Sequence, residues 1–233
     1  MSKKQKTIGL LGGMSWESTA EYYRIANQTV RDRMGGLHSA KILLDSVDFA
    51  EIGLMQREDR WGDAADLLAT HARGLQDAGA EMVLICTNTM HKVAPEVSAA
   101  IDVPLLHIAD AAAVAVRAAG LSRVGLLGTA FTMEQPFYRE RLAEHGLDVV
   151  IPGDRDRELV HRVIFDELAM GIVSDESRAS YRRIIEGLVA DGAEGIILGC
   201  TEIELLVTGE DCPVPVFPTA RLHIEAAVEA AFA

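Results

Sequence analysis

The sequence predicts an α/β protein built as two similar lobes, each on its own parallel sheet. Three observations carry this. Short aliphatic runs alternate with helix-length segments along the whole chain, the pattern of βαβ units. Aromatics are only 5% of a chain that is 49% hydrophobic, which suits aliphatic strands packed under alanine-rich helices. The order of elements also restarts half-way, nearly in register. "IGLLG" at Ile8–Gly12 matches "VGLLG" at Val124–Gly128, an offset of 116 residues. "DAGAEMVLICT" matches "ADGAEGIILGCT", with Glu81 and Glu194 offset by 113 and Cys86 and Cys200 by 114. "VPLL" from Val103 matches "VPVF" from Val214 at an offset of 111. Shared strand composition does not produce one near-constant offset in three separate segments. The chain is therefore read as a duplication, its lobes related by a pseudo-two-fold axis.

The elements follow in order. Thr7–Leu11 is a strand, followed by a helix from Ser18 to Arg33. Lys41–Ser46 is a strand, Asp63–Ala78 a helix, and Glu81–Cys86 a short buried strand. Val103–Ile108 is a strand leading into an alanine-rich helix that ends at Ala119. The second copy runs through strand Val124–Leu127, helix Gln135–His145 and strand Asp148–Ile151. Helical regions Arg157–Leu168 and Ser177–Asp191 come next. Strands Gly195–Gly199 and Val214–Phe217 and a helix to Ala231 complete it. The polar stretch "LMQREDRW", Leu54–Trp61, is read as a loop.

The 233 residues are enough to bury a full core. No apolar run approaches the roughly 20 residues that span a bilayer. The start places Lys3, Lys4 and Lys6 before apolar residues, as signal peptides do, but the run is short, broken by glycines and lacks a cleavage site. It is read as the first strand of a cytoplasmic protein. Net charge is −13 with no other basic cluster, which argues against nucleic acid or membrane as partner. Cys86, Cys200 and Cys212 are an odd set, so thiols are expected rather than a disulfide framework. No spacing suggests a zinc site.

Cys86 and Cys200 close matching strands, and each is followed by threonine. A lone cysteine after a strand is usually a small buried hydrophobe; a matched pair points to function. Ligands bind beyond the carboxyl ends of open parallel sheets, so two facing lobes would set two thiols across one cleft. A thiol moves a proton near neutral pH more readily than a serine hydroxyl, and a helix N-terminus beside it is expected to favour the thiolate. One thiolate removes a proton from a carbon while the opposite thiol returns one, which inverts the centre. No lysine has a phosphate cup for pyridoxal phosphate; Lys92 is the one near the site. The reaction is therefore expected to need no cofactor and no metal. Thr87, Asn88, Thr89, Thr201 and Glu202 offer donors to a substrate carboxylate.

"GLLGGMSWEST" (Gly9–Thr19) follows a strand and opens a helix. Gly12 and Gly13 allow close backbone approach, and Ser15 or Ser18 is placed to cap. Such a start suits a carboxylate, or is simply a capped turn. Arg57 or Arg60 either pairs with a side-chain carboxylate of the substrate or belongs to a solvated run. His91 either works beside Cys86 or caps a helix. Arg221, His223 and Cys212 are read as structural.

These residues resemble the aspartate/glutamate racemase superfamily, in particular its aspartate racemase branch. "GLLGGMSWEST", "CTNTMHK" (Cys86–Lys92), "GCTEIELL" (Gly199–Leu206) and "RLHIEAAV" (Arg221–Val228) carry the resemblance, in the family's order over almost the whole chain. It implies two Rossmann-like lobes with the active site in the interlobe cleft. The N-terminal lobe takes residues 1–108 plus 219–233, the last helix packing back on it, and the C-terminal lobe takes 109–218. It implies a homodimer and racemisation of aspartate, glutamate or a similar small amino acid without cofactor. Cys86 and Cys200 become the acid/base pair. Gly13, Met14, Gln56, Arg57, Thr87, Asn88, Thr89, Thr201 and Glu202 line the site. "FPTA" (Phe217–Ala220) departs from the Asp-Thr-Thr type sequence of relatives, and "ELAMG" (Glu167–Gly171) lacks the basic residue some keep there. Two other readings stand beside this one: a maleate-type cis–trans isomerase with one thiol as nucleophile, and a small-acid-binding protein without turnover.

Overall fold

The computed structural model describes residues 5–233. Lys3 and Lys4 of the basic tail lie outside the described residues. The chain divides into two compact units: one runs to Ile108 and takes up the chain again at His223–Ala233, and the other is Ala109–Leu222.

The first unit holds strands β1 (Ile8–Gly12), β2 (Ile42–Ser46), β3 (Met82–Ile85) and β4 (Leu105–Leu106) in the order β2-β1-β3-β4. All pairs are parallel, with Leu11 opposite Ile85. β1 and β3 are buried along their whole length, which is why they read as unbroken aliphatic runs. Helix α1 (Trp16–Met34) begins at Ser15, whose hydroxyl accepts the Ser18 N–H. It buries Tyr22, Ile25, Ala26 and Val30, one stripe at helical spacing. Helix α3 (Trp61–Asp77) does the same with Ala64, Leu68, Ala72 and Leu75.

Leu54–Trp61 is mostly helix, not loop. Helix α2 (Phe49–Arg57) runs into it, and α3 starts at Trp61. Ile52, Met55 and Gln56 form a buried face at i, i+3 and i+4, and Asp48 caps the start by accepting the Ala50 N–H. Polar residues on the solvent side masked that spacing. The strand expected at Val103–Ile108 shrinks to β4, because Ile108 already opens helix α5 (Ile108–Ala118). The short helix α4 (Ala94–Ala99) was not foreseen.

The second unit repeats the plan. Strands β5 (Arg123–Gly128), β6 (Asp148–Val150), β7 (Gly195–Gly199) and β8 (Val216–Pro218) lie in the order β6-β5-β7-β8, all parallel. Leu127 lies opposite Leu198, the counterparts of Leu11 and Ile85. Helices α6 (Ala130–Glu134), α7 (Pro136–Glu144), α8 (Asp154–Asp166), α9 (Asp175–Ala190), α10 (Ile203–Leu206) and the start of α11 (Thr219–Phe232) accompany them. The same strand order in both units is the structural counterpart of the sequence repeat.

One device recurs at matching positions. The Glu81 carboxylate accepts the Thr7 N–H at 2.8 Å, while the Glu81 N–H donates to the Thr7 carbonyl. Glu194 accepts from Ser122 and Arg123 and returns its own N–H to the Arg123 carbonyl. Each glutamate thus locks the start of one central strand to the next. The two backbone N–H groups hold the Glu194 carboxyl below its ordinary pKa. Among the described residues no helix is long and apolar enough to cross a membrane.

Candidate active site

In the first unit the site residues gather beyond the carboxyl ends of β1 and β3. Cys86 follows β3 directly, and its N–H still donates to the Leu11 carbonyl at 2.9 Å. The residue is fully buried, and its carbonyl accepts the Ser18 hydroxyl at 3.3 Å. Ser15 caps α1, so Ser18 is left to hold the Cys86 backbone. The chain then enters a 3₁₀ turn, Thr89–Val93. Met14 and Met90 join one apolar cluster with Met55 and Ile85. Gln56, also buried, donates from Nε2 to the Met90 sulfur at 3.1 Å, which ties the end of α2 to the Cys86 loop.

Gly12 and Gly13 are approached closely, but by the protein itself. A Cβ on Gly13 would lie 2.1 Å from the Val47 carbonyl oxygen, and Gly13 has φ +92°. A Cβ on Gly12 would lie 2.3 Å from the Thr19 methyl. Only glycine fits this crossing. The Gly13 N–H donates to Thr19 Oγ1 at 2.9 Å, so that group, expected to serve an anion, is engaged within the fold.

Arg57 is exposed and has no ion-pair partner among the described residues, whereas Arg60 pairs with Glu58 and Asp63. The Lys92 ammonium sits 3.8 Å from the Trp61 ring centroid, and burial lowers its pKa despite the charge of Asp59.

In the second unit Cys200 directly follows β7 and is half-buried. Its thiol donates to Glu202 Oε2 at 2.9 Å, and the Thr201 hydroxyl donates to the same oxygen at 3.1 Å. Glu202, expected among the substrate-lining residues, thus accepts the hydrogen bond of the Cys200 thiol. The spacing Cys-Thr-Glu held this signal, but only the side-chain conformation discloses it.

The thiols differ from expectation in one respect. A neighbouring helix start was expected to favour thiolate; instead both pKa values are raised. At Cys86 burial raises it well beyond the ordinary range. At Cys200 burial acts first, with the charge and hydrogen bond of Glu202 adding to it. The cause is clear at Cys86. A 3₁₀ turn offers little aligned dipole, and desolvation of a sulfur anion outweighs it. At Cys200 the nearest charge is negative. Cys212 is also pushed up, to about 11, by burial and then Asp211.

The segment after Cys200 is anchored from α9. Asp211 accepts the Thr208 N–H at 2.9 Å and the Thr208 hydroxyl at 3.1 Å, and pairs with Arg182 and Arg178. Arg178 also donates to the Leu206 carbonyl at the end of α10. The Thr208 N–H foremost, and then Arg182, hold the Asp211 carboxyl at about 2, with its side chain only 4% exposed. A depressed carboxylate stabilises the fold above its unfolded pKa, and that contribution fades as pH falls through the folded value. Asp211→Asn is therefore expected to cost about 2 kcal/mol near pH 7. The difference should shrink as pH approaches 2, and urea melts at several pH values measure it. Equal stability at pH 7 would remove Asp211 as an anchor.

Two repeated parallel α/β units, each with a Cys-Thr pair at the carboxyl end of its third strand, define the class of the protein. The chain belongs to the Asp/Glu/hydantoin racemase family, whose model matches residues 11–227. A solved protein of Yersinia pestis, proposed to be an Asp/Glu racemase, is 55% identical. It covers 98% of this chain and 100% of its own, with a TM-score of 0.93. An aspartate racemase homologue from Pyrococcus horikoshii is 35% identical over 97% of this chain and 99% of that one, with a TM-score of 0.85. Picrophilus torridus aspartate racemase, 18% identical over 97% and 94% of the two chains, has a TM-score of 0.74 and shares the fold. The protein is thus a racemase by family, and work without a cofactor is characteristic of that family.

Proposed function

We propose that the chain interconverts L- and D-aspartate, glutamate or a similar small amino acid, with Cys86 and Cys200 as its two bases. The observation that carries this reading is the matched placement of two Cys-Thr pairs in the two repeats. One sulfur, as thiolate, takes the proton from Cα; the other, as thiol, returns a proton to the opposite face. The sulfurs exchange protonation states, and no electron leaves the substrate.

The raised pKa values shape how this starts. Burial keeps both sulfurs protonated, and at Cys200 the Glu202 charge adds to it. The α-ammonium of an amino acid brings positive charge that favours a thiolate, which a plain dicarboxylate does not. Glu202 is the acceptor through which the Cys200 proton leaves. Donors at Thr87, Asn88, Thr89 and Thr201 stabilise charge that grows on the α-carboxylate. Gly13, Met14 and Gln56 shape the floor of this site, and Arg57 receives the side-chain carboxylate. The enzyme acts in the cytoplasm as a homodimer.

A panel of L- and D-amino acids in deuterated buffer, followed by NMR, tests the reading. Loss of the α-proton signal is expected with aspartate or glutamate from either enantiomer. Saturable binding without exchange would instead make it a binding protein. Conversion of maleate without exchange at any amino acid would make it a cis–trans isomerase.

A further inference from the structure

We propose that His91 is a positioning residue that sets the conformation of the Cys86 loop through one fixed neutral tautomer; its catalytic consequence rests on Cys86 being one of the two bases. His91 is 1% exposed. Its Nε2 lies 3.1 Å from the backbone N–H of Ile108. A backbone N–H only donates, so Nε2 must hold a lone pair. Nδ1, 2.8 Å from the Thr87 carbonyl oxygen, then carries the hydrogen and donates it. An imidazolium would have no lone pair for Ile108. The ring therefore bridges the carbonyl next to Cys86 and the first residue of α5.

Neighbouring rings hold this one in place. His107 packs edge-on at 4.5 Å between centroids and His223 at 5.7 Å. His223 has the opposite tautomer: Nε2 donates to the Leu106 carbonyl at 2.8 Å, and Nδ1 accepts from the Tyr22 hydroxyl at 2.9 Å. Tyr22 and His223 thereby join α1 and α11 to the end of β4, beside the residue that His91 grips. Loop orientation follows from peptide geometry. The Thr87–Asn88 peptide is planar, with its C=O and N–H opposed. Drawing the Thr87 carbonyl toward His91 turns the other edge of that plane away from the ring. His91 thus fixes the segment that carries Cys86, Thr87 and Asn88 from a buried position.

Two substitutions separate the arms of the bridge. In His91→Asn the amide nitrogen stands near the Nδ1 position and keeps the donor to Thr87. In His91→Gln the amide oxygen reaches the Nε2 position and keeps only the acceptor for Ile108. On the amino acid that the wild type racemises, H91N should retain kcat within about 5-fold. H91Q should lose about 20-fold or more in kcat with KM little changed. The Cys86 alkylation rate by iodoacetamide, mapped against Cys200 by mass spectrometry, should rise about 10-fold in H91Q and not in H91N. Nitrogen-15 NMR at neutral pH should show His91 as the Nδ1–H form and His223 as the Nε2–H form. An Nε2–H form at His91, equal kcat in the two variants, or losses that follow their melting temperatures would overturn the proposal. Should the wild type exchange no α-proton, the racemase reading fails by itself, while tautomer and alkylation still decide whether His91 holds the Cys86 loop.

Discussion

Cys86→Ser and Cys200→Ser are each expected to lower racemisation by about 10³-fold or more. The substitution changes one atom, and at Cys86 that atom lies in a fully buried place, so the fold should survive. The chemistry should not, because a hydroxyl is a much weaker acid than a thiol. A sharper result follows from the division of labour. In the proposed scheme the cysteine that remains serves one face of Cα. Each variant should therefore exchange the α-proton of one enantiomer with solvent while failing to invert it. The two variants should prefer opposite enantiomers. Polarimetry measures turnover, and NMR in deuterated water measures the exchange. Near-normal turnover in either variant would remove the two-base scheme.

Glu202→Gln is expected to act in two directions at once. The carboxylate is the acceptor 2.9 Å from the Cys200 sulfur. Without it the thiol loses its hydrogen-bond acceptor, and kcat at neutral pH should fall about 10²-fold, as for loss of a positioned acid–base group. The same substitution removes a negative charge and a hydrogen bond that raise the Cys200 pKa. That pKa should fall, although not to its ordinary value, because burial is the larger cause and persists. The alkylation rate of Cys200 should then begin its rise at a lower pH in the variant, even as turnover drops. An unchanged Cys200 titration would mean that the thiol–carboxylate contact does not govern this sulfur.

The strands that hold the site were legible because burial on both faces leaves an unbroken aliphatic signature, as at β3 and β7. Identical strand orders then followed from the repeat. Short helices such as α2, α4 and α6 were not legible. Their buried faces rest on two or three residues, and Gln56 hides in a run of polar letters although it is 7% exposed. That Cys86 and Cys200 directly follow β3 and β7 was legible in the sequence, but their ionisation was not. Burial and the Glu202 contact depend on how side chains fill space, which no spacing rule contains. The tautomer of His91 is of the same kind, fixed by an amide 17 residues away in sequence.

The last helix has a consequence for biosynthesis. Although α11 starts in the second unit, where the Thr219 hydroxyl bonds to the Leu198 carbonyl, its residues from His223 onward complete the first. There Glu229 pairs with Arg33, and the Ala231 carbonyl accepts the Lys6 N–H. A ribosome makes these residues only after the whole second unit. During vectorial synthesis the first unit lacks this flank until a segment more than a hundred codons downstream is made. Nascent chains arrested short of His223 should accordingly bind chaperones through the earlier half rather than the later one.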